Sequence, residues 1–175
     1  MKIKDKNFLI LLKEAEIKKR LADMGAQISK DYSGRNPLFI SVLNGAFIFA
    51  ADLLREITVE STLSFIKLST YDHTSGTGKI KELIGINEKL FKKDIIIIED
   101  IVDSGFTLSY LMEHIAELGP ASLEVAALLV KPESLKVDLN IKYKGFDIPK
   151  DFVVGYGLDY DGYGRNLKDI YFLKN

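Results

Sequence analysis

Apolar residues recur at helical spacing near the start of the chain. In residues 12–30, Ile17, Leu21, Met24 and Ile28 follow one another every three or four positions, with charged residues between them. This spacing places the four side chains on one face of a helix and leaves the charges on the other faces. The pattern predicts an amphipathic helix that buries one face in a core.

Apolar runs bounded by glycine, proline or polar turns alternate with helical segments over the rest of the chain. The predicted strands are residues 37–43, 63–69, 80–87, 94–99, 123–131 and 151–160. The predicted helices are residues 46–57 and 107–118, and the polar segment 70–79 is predicted to be a mobile loop. Strands that alternate with helices of about 10–15 residues are typical of βαβ units. The predicted fold class is therefore α/β, with a mostly parallel twisted sheet flanked by helices.

Composition narrows the class of protein. The 175 residues are 47% hydrophobic and 28% charged, which is typical of a globular protein and favours a single domain over residues 1–175. The net charge of -1 provides no overall basic field of the kind that nucleic-acid-binding proteins carry. The chain has no cysteine, which excludes disulfides, thiolate zinc sites and a cysteine nucleophile. We recognise neither a signal peptide nor a run of about 18 apolar residues, so a cytoplasmic location is expected.

Three carboxylates follow the most apolar part of the sequence. The run DIIIIE (94–99) is apolar on both faces, as in a strand covered by helices on both sides, and Asp100 and Asp103 come after it. A buried charge without a partner costs several kcal/mol. The acids are therefore expected to face water, hydrogen-bond donors or a metal ion. The alternative is an ordinary capped helix after a strand, with solvated acids.

The turn after this strand has the composition of an anion site. Ligands of open parallel sheets bind beyond the carboxyl ends of the strands, which is where this turn is expected to lie. Gly105 allows a tight turn, and Ser104, Thr107 and the free amides at the start of the next helix can hold an anion. Glu99 and Asp100 are hard oxygen ligands that suit Mg²⁺ or ribose hydroxyls. Together these features predict a phosphorylated sugar and its magnesium ion as the ligand.

Several segments resemble one family of enzymes. IIEDIVDSGFTL (97–108) resembles the signature of the type I phosphoribosyltransferases, which bind 5-phosphoribosyl-1-pyrophosphate (PRPP). ALLVK (127–131) and DFVVGYGLDYDGYGR (151–165) resemble the purine-salvage branch of that family, which acts on 6-oxopurines such as hypoxanthine and guanine. VLNGAFIFAADLL (42–54) matches upstream, so the resemblance spans most of the chain. It implies the phosphoribosyltransferase type I fold, with a small hood formed by the terminal segments.

The resemblance implies which residues bind PRPP. They are Leu43, Asn44, Gly45, Glu99, Asp100, Asp103, Ser104, Gly105, Phe106, Thr107 and Arg165. Residues 103–107 would hold the 5′-phosphate, and Glu99 and Asp100 would face the ribose hydroxyls and Mg²⁺. Residues 43–45 would bind pyrophosphate through main-chain amides, often with a cis peptide between the first two, and Arg165 would grip the same group. Asn44 and Phe106 stand where some relatives carry lysine, so no charged contact is expected from either side chain.

The resemblance also implies a purine site. Lys131 would recognise the 6-oxo group, Phe152 would stack on the purine, and the backbone of Val153 would hydrogen-bond the ring edge. Asp159 would lie at this site and hold a second Mg²⁺. Asp103 is the candidate general acid–base near purine N7. The alternatives are an ordinary lysine at a strand end, a core phenylalanine, surface charges in a turn, and an aspartate that only caps a helix.

The reaction that the resemblance implies belongs to purine salvage. It is the Mg²⁺-dependent transfer of phosphoribose from PRPP to hypoxanthine or guanine, which gives IMP or GMP and pyrophosphate. Thr70 and Tyr71 match the family's lid, which would exclude water from a transition state resembling a ribosyl cation. A homodimer or homotetramer is expected, and neither a nucleic acid nor a membrane is expected as a partner. The alternatives are a xanthine-preferring relative and a nucleotide-sensing RNA-binding regulator with the same fold, although Lys131 and Phe152 count against the regulator.

Overall fold

The computed structural model describes residues 1–71, 79–86 and 88–174, which form two β-sheets and three α-helices. The strands are β1 (Lys2–Ile3), β2 (Lys6–Leu12), β3 (Leu38–Leu43), β4 (Thr62–Tyr71), β5 (Lys79–Ile84), β6 (Asp94–Val102), β7 (Ser122–Val130), β8 (Tyr143–Asp147), β9 (Val153–Val154) and β10 (Ile170–Leu173). The α-helices are α1 (Glu14–Asp31), α2 (Phe47–Arg55) and α3 (Phe106–Glu117), and a 3₁₀ turn covers Pro132–Ser134. Within these residues, no helix is both long and apolar enough to cross a lipid bilayer.

The larger sheet confirms the predicted α/β class. Its six strands lie in the order β5-β4-β3-β6-β7-β8, and every neighbouring pair is parallel except β4 and β5. Strand β6 is inside the sheet, where Ile98 lies between Ser41 of β3 and Ala126 of β7. The carboxyl ends of the parallel strands therefore meet along one edge, and the acidic turn after β6 lies in the middle of that edge.

Strand β6 supplies both faces of the hydrophobic core. Ile96 and Ile98 pack with helices α1 and α2 on one face, and Ile95 and Ile97 pack with α3 on the other. All four side chains are fully buried. Each such burial is worth about 1.5–3 kcal/mol, so the strand that carries the acidic turn is firmly fixed. The predicted apolar face of α1 is also buried in the first of these cores.

A small antiparallel sheet forms the hood that the resemblance implied. Its strands lie in the order β1-β2-β10-β9, so the two ends of the chain meet in one sheet. Ile3, Phe8 and Val154 form its buried core. Because β9 leads into residues 155–165, the hood is directly connected to the segment that carries the predicted purine-site and pyrophosphate residues.

The predicted last strand, residues 151–160, is wrong in length. Only Val153 and Val154 pair in a sheet, and the chain then enters a turn in which Gly155 and Gly157 have φ angles of +103° and +102°. A Cβ atom at position 155 would overlap the carbonyl of Asp169. The alternation of apolar residues is real, but the glycines serve a tight turn rather than a strand.

Other element boundaries also differ from the prediction. Strand β6 continues three residues past the predicted end at residue 99, so Glu99 and Asp100 lie within the strand. Thr70 and Tyr71, the predicted lid pair, have backbones that belong to β4 and pair with β5. Residues 72–78 of the predicted mobile loop lie outside the described residues. The lid therefore stays a prediction.

Candidate active site

The turn between β6 and α3 lines a recess at the sheet edge. We call this turn the elbow (residues 103–107). Gly105 adopts a φ of +83° at the start of α3, and its carbonyl accepts the N–H of Ser109 at 2.9 Å. The recess has a volume of about 150 Å³. Its lining comprises Glu99, Ile101, Val102, Asp103, Ser104, Gly105, Thr107 and Leu108. Free amides at a helix start, beside hydroxyl groups, form a site for a phosphate-sized anion.

A segment that lies outside all the predicted elements packs over the elbow. We call it the strap (residues 132–141). The N–H of Lys136 donates to the carbonyl of Ser104 at 3.0 Å. A Cβ atom at Gly105 would lie only 2.7 Å from side-chain carbons of Val137 and Leu139. A larger residue at position 105 would therefore be strained by the backbone conformation and would also push the strap side chains away.

A second recess of about 280 Å³ adjoins the first, because Ile101 and Asp103 line both. Its lining comprises Gly45, Asp100, Ile101, Asp103, Lys131, Phe152, Val153, Leu158, Asp159 and Arg165. The structure therefore brings together residues from four separate parts of the chain. All four predicted purine-site residues lie here, and so does one of the three residues predicted to bind pyrophosphate through amides. Leu158 and Ile101 were missed, because an apolar residue beside a motif carries no signal in the sequence.

Glu99 and Asp100 lie on opposite sides of the sheet edge. Glu99 lines the first recess and Asp100 the second, as expected for neighbouring residues in a strand. Burial, together with the charge of Asp100, raises the pKa of Glu99 well above its usual value. Burial also raises the pKa of Asp100 to about 6, although the N–H groups of Ile101 and of Asp100 itself, and the nearby Arg165, act in the opposite direction. A cation or hydroxyl donor placed between these carboxylates would relieve that cost.

Asp103 and Lys131 form an ion pair at the junction of the two recesses. Lys131 Nζ lies 2.7 Å from Asp103 Oδ2, and the lysine side chain is only 7% exposed, whereas that of Asp103 is 55% exposed. The N–H of Lys131 also donates to the carbonyl of Val102 at 2.9 Å, which fixes the end of β7 beside the end of β6. The arrangement therefore holds a cation inside the pocket and a carboxylate at its opening.

Asp159 and Arg165 form a second ion pair on the far wall of the larger recess. Arg165 Nη2 lies 2.6 Å from Asp159 Oδ1, and Nη1 donates to the carbonyl of Gly157 at 2.7 Å. Asp159 Oδ2 accepts the N–H of Gly162 at 2.6 Å. Both residues are therefore held by the turn rather than free at the surface, which supports the functional interpretation of Arg165 over the alternative of a surface charge.

Phe152 presents its ring to the recess while its edge contacts the hood. The side chain is 45% exposed, which is unusual for a core phenylalanine and leaves a face open for stacking. Its ring meets that of Tyr160 edge to face, with centroids 5.9 Å apart. Val153 is buried and lines the same recess. Phe106, predicted to belong to the phosphate segment, begins α3 with its ring 58% exposed.

The segment 43–45 approaches the acids closely. The peptide between Leu43 and Asn44 is cis, as the resemblance implied. A Cβ atom at Gly45 would overlap the carboxylate of Asp100, so a larger residue there would displace that carboxylate. Helix α2 starts two residues later, and its first turn includes the bond from the N–H of Ala50 to the carbonyl of Ala46 at 2.8 Å. The loop therefore enters the site as bare backbone, which suits binding through amides.

The acids of the site fit Mg²⁺ that arrives with a phosphorylated substrate. Within residues 1–71, 79–86 and 88–174, no group of three or more histidine and acidic side chains is close enough to enclose a metal ion. Mg²⁺ generally takes one or two protein carboxylates and completes its shell with water and substrate phosphates. Asp100, whose raised pKa reflects burial and the nearby charge of Asp159, is a carboxylate that fits this role.

Comparisons with known proteins identify the family to which this fold and site belong. Residues 9–161 match the family described as the phosphoribosyl transferase domain, and the chain belongs to this family. It is 42% identical over 168 residues to the hypoxanthine-guanine phosphoribosyltransferase of Mycobacterium tuberculosis strain H37Rv, covering 92% of this chain and 83% of that protein. It is 40% identical over 166 residues to the Bacillus subtilis strain 168 protein of the same name, covering 94% and 92%.

Solved structures of the same kind of enzyme share the fold. A crystal structure of a hypoxanthine-guanine phosphoribosyltransferase from Bacillus anthracis superimposes with a TM-score of 0.90 at 39% identity, over 97% of this chain and 99% of that one. The hypoxanthine phosphoribosyltransferase of Trypanosoma cruzi, in a ternary substrates complex, gives a TM-score of 0.91 at 35% identity, over 98% and 97%. The fold predicted from the sequence is therefore confirmed.

Proposed function

We propose that this protein transfers the 5-phosphoribosyl group from PRPP to hypoxanthine or guanine, giving IMP or GMP and pyrophosphate. The observation that carries the proposal is the pair of adjoining recesses at the sheet edge, with the Asp103–Lys131 ion pair at their junction. One recess has the amides and hydroxyls that an anion needs. The other has an exposed aromatic ring and a buried cation, which suit a purine with a 6-oxo group.

PRPP lies across both recesses in this proposal. The 5′-phosphate binds to the amides and hydroxyls of the elbow, and the ribose hydroxyls lie between Glu99 and Asp100. The pyrophosphate group binds to the bare backbone around Gly45 and to Arg165, whose forked guanidinium suits two phosphate oxygens. Asp100 would hold one Mg²⁺ together with water and PRPP oxygens, with Glu99 facing the ribose hydroxyls and that ion, and Asp159 would hold a second Mg²⁺. The ions supply positive charge that offsets the charge of the pyrophosphate as it leaves.

Three groups in the second recess bind the purine. Phe152 stacks on the base, and the backbone of Val153 hydrogen-bonds its edge. Lys131 donates to the 6-oxo oxygen, which favours hypoxanthine and guanine because adenine presents an amino group there. Asp103 accepts one of the three N–H donors of Lys131, which leaves another for the 6-oxo oxygen. With adenine that buried donor would face an amino group and stay unpaired, so the contact discriminates between the bases.

Asp103 accepts the proton that the purine loses. Purine N9 forms the bond to the anomeric carbon as the bond from that carbon to the pyrophosphate oxygen breaks, and the proton at N7 passes to the Asp103 carboxylate. A positioned carboxylate typically contributes about 10²–10⁴-fold to such a step. The exposure of Asp103 at the recess opening allows the proton to pass on to solvent.

A spectrophotometric assay with four bases tests the proposal. The purified protein is mixed with PRPP, Mg²⁺ and hypoxanthine, guanine, xanthine or adenine, one at a time. Turnover of hypoxanthine and guanine with little turnover of adenine is expected. Preference for xanthine would favour the xanthine-using alternative. Lack of turnover with all four bases would overturn the proposal.

The proposed function also includes the number of domains, the cellular location and the oligomeric state of the protein. We infer one domain over residues 1–175, because β6 contributes to both cores, and this predicts a single unfolding transition by circular dichroism and fluorescence. A cytoplasmic location and a homodimer or homotetramer belong to the same proposal. Cell fractionation and light scattering test them. Thr70 and Tyr71 are proposed as part of a lid that closes over PRPP and keeps water out.

A further inference from the structure

The segment that carries Asp159 and Arg165 stacks directly on residues 43–45. We call these the glycine-rich turn (residues 155–165) and the amide loop (residues 43–45). A Cβ atom at Gly157 would overlap the carbonyl of Gly45, and a Cβ atom at Gly45 would overlap the carboxylate of Asp100. The turn therefore packs on the backbone of the loop, and the loop packs on the side chain of Asp100 at the strand end. A shift of the turn would change the spacing of all three.

Two hydrogen bonds hold Arg165 to Gly157 within the glycine-rich turn. Its guanidinium donates to the carbonyl of Gly157 at 2.7 Å, and the N–H of Gly157 donates to the carbonyl of Arg165 at 2.9 Å. The residue that touches the amide loop is thus the same residue that holds Arg165 at both its backbone and its side chain. The distance between the guanidinium and the amide loop is fixed by where Gly157 lies.

Tyr156, the neighbour of Gly157, ties this turn to helix α2. Its hydroxyl donates to Asp52 Oδ2 at 2.6 Å, and its side chain is 3% exposed. Its φ of +52° is uncommon for a residue other than glycine, and its N–H donates to the carbonyl of Leu167 at 2.8 Å. Burial and the bond to Asp52 raise the pKa of Tyr156, so the hydroxyl keeps its proton and remains a donor.

The hydrogen bond from Tyr156 to Asp52 therefore joins the glycine-rich turn to helix α2. The contact between Gly157 and Gly45 joins the same turn to the amide loop, which directly precedes α2. Helix α2, which carries Asp52, begins two residues after Gly45. We propose that Tyr156 and Asp52 are positioning residues that set the spacing between the glycine-rich turn and the amide loop, and hence the affinity for the pyrophosphate end of PRPP. This inference rests on the proposed function of the site.

The variant Tyr156→Phe tests the inference, because it keeps the packed ring and removes only the hydroxyl. The KM for PRPP, and the KM for pyrophosphate in the reverse reaction with IMP, are expected to rise by about five- to tenfold. The KM for hypoxanthine is expected to stay within about twofold, because the purine contacts are not involved. Asp52→Ala should match Tyr156→Phe, whereas Asp52→Asn keeps an oxygen that accepts from the hydroxyl and should restore the KM for PRPP.

Tyr143→Phe is the matched control. Tyr143 is fully buried in the same core, and its hydroxyl donates to Asp31 Oδ2 at 2.9 Å, but it belongs to β8, the outermost strand of the larger sheet, and lines neither recess. Both variants are expected to lower the Tm, and only Tyr156→Phe should change the KM for PRPP and pyrophosphate. An unchanged KM for PRPP in Tyr156→Phe, or an equal rise in the KM for hypoxanthine, would overturn the inference. Turnover by the wild-type protein tests the proposed function separately.

Discussion

Asp103 is the residue on which the proposed chemistry depends most. Asp103→Asn keeps the shape of the side chain but cannot accept the purine proton, so kcat is expected to fall by at least about 100-fold. The Kd for PRPP should change by less than about threefold, since the phosphate contacts are made by amides and hydroxyls. Steady-state kinetics and calorimetric titration measure the two effects. A variant with wild-type kcat would remove Asp103 from the proton transfer.

Lys131 is expected to determine which purine is used. Lys131→Ala removes the donor to the 6-oxo group, and the preference for hypoxanthine over adenine in kcat/KM should fall by at least about tenfold. The variant should still fold without the ion pair, because Asp103 is 55% exposed and water can hydrate its carboxylate. Lys144→Ala is the control. It breaks the ion pair between Lys144 Nζ and Asp147 Oδ2, which are 2.9 Å apart and line neither recess. Unchanged selectivity in Lys131→Ala would refute the role.

Asp100 is expected to lower the stability of the ligand-free protein at neutral pH. Burial raises its pKa from 3.8 to about 6, so the folded protein holds this proton more tightly than the unfolded chain does. The resulting stabilisation is complete below about pH 4 and is lost as the pH rises through about 6. The free energy of unfolding should therefore decrease over this window as the pH rises.

Asp100→Asn isolates this effect in urea denaturation without PRPP or Mg²⁺. The amide oxygen can still accept the backbone N–H of Ile101, and nothing at position 100 titrates. The variant should be more stable than the wild type above pH 7, with a weaker pH dependence between about 4 and 6, because it removes the cost of a buried charge. A variant that is less stable than the wild type at pH 8 would contradict this explanation.

At the scale of elements, the elbow depends on the strap above it. Gly105→Ala combines a φ of +83° with a Cβ atom 2.7 Å from Val137 and Leu139, whereas Gly34→Ala has a φ of +74° and no atom within 4 Å. Both should lose about 1 kcal/mol of stability from the backbone conformation. Only Gly105→Ala should lose more, and its Kd for PRPP should rise by at least about tenfold because the elbow must shift. Equal behaviour of the two variants would show that the strap does not position the elbow.

The periodic elements were predictable because their own residues determine them. The four isoleucines of β6 and the apolar face of α1 indicate burial whatever lies next to them. Strand β8 and the strap were missed, because their roles depend on distant partners. A Cβ atom at Gly145 would overlap the carbonyl of Leu128, and Arg20 donates to the carbonyl of Lys144 at 3.2 Å. Such contacts leave no local pattern.

At the scale of the whole molecule, the sequence indicated the site residues but not their pairing. Asp103 was assigned to PRPP and to purine N7, and Lys131 to the 6-oxo group, with no contact expected between them, and the structure joins them at the ends of β6 and β7. The hydrogen bond from Tyr156 to Asp52 crosses more than half of the chain, and nothing in either local sequence predicts it. Motif resemblance identifies residues one at a time, whereas charge and hydrogen-bond partners are set by the packed sheet and hood.

A crystal structure of the protein with PRPP and Mg²⁺ tests the proposed substrate site most directly. The 5′-phosphate is expected on the amides of residues 104–107, the ribose between Glu99 and Asp100, and the pyrophosphate between Gly45 and Arg165. PRPP bound elsewhere, with the elbow empty at a concentration that saturates turnover, would contradict the proposed site.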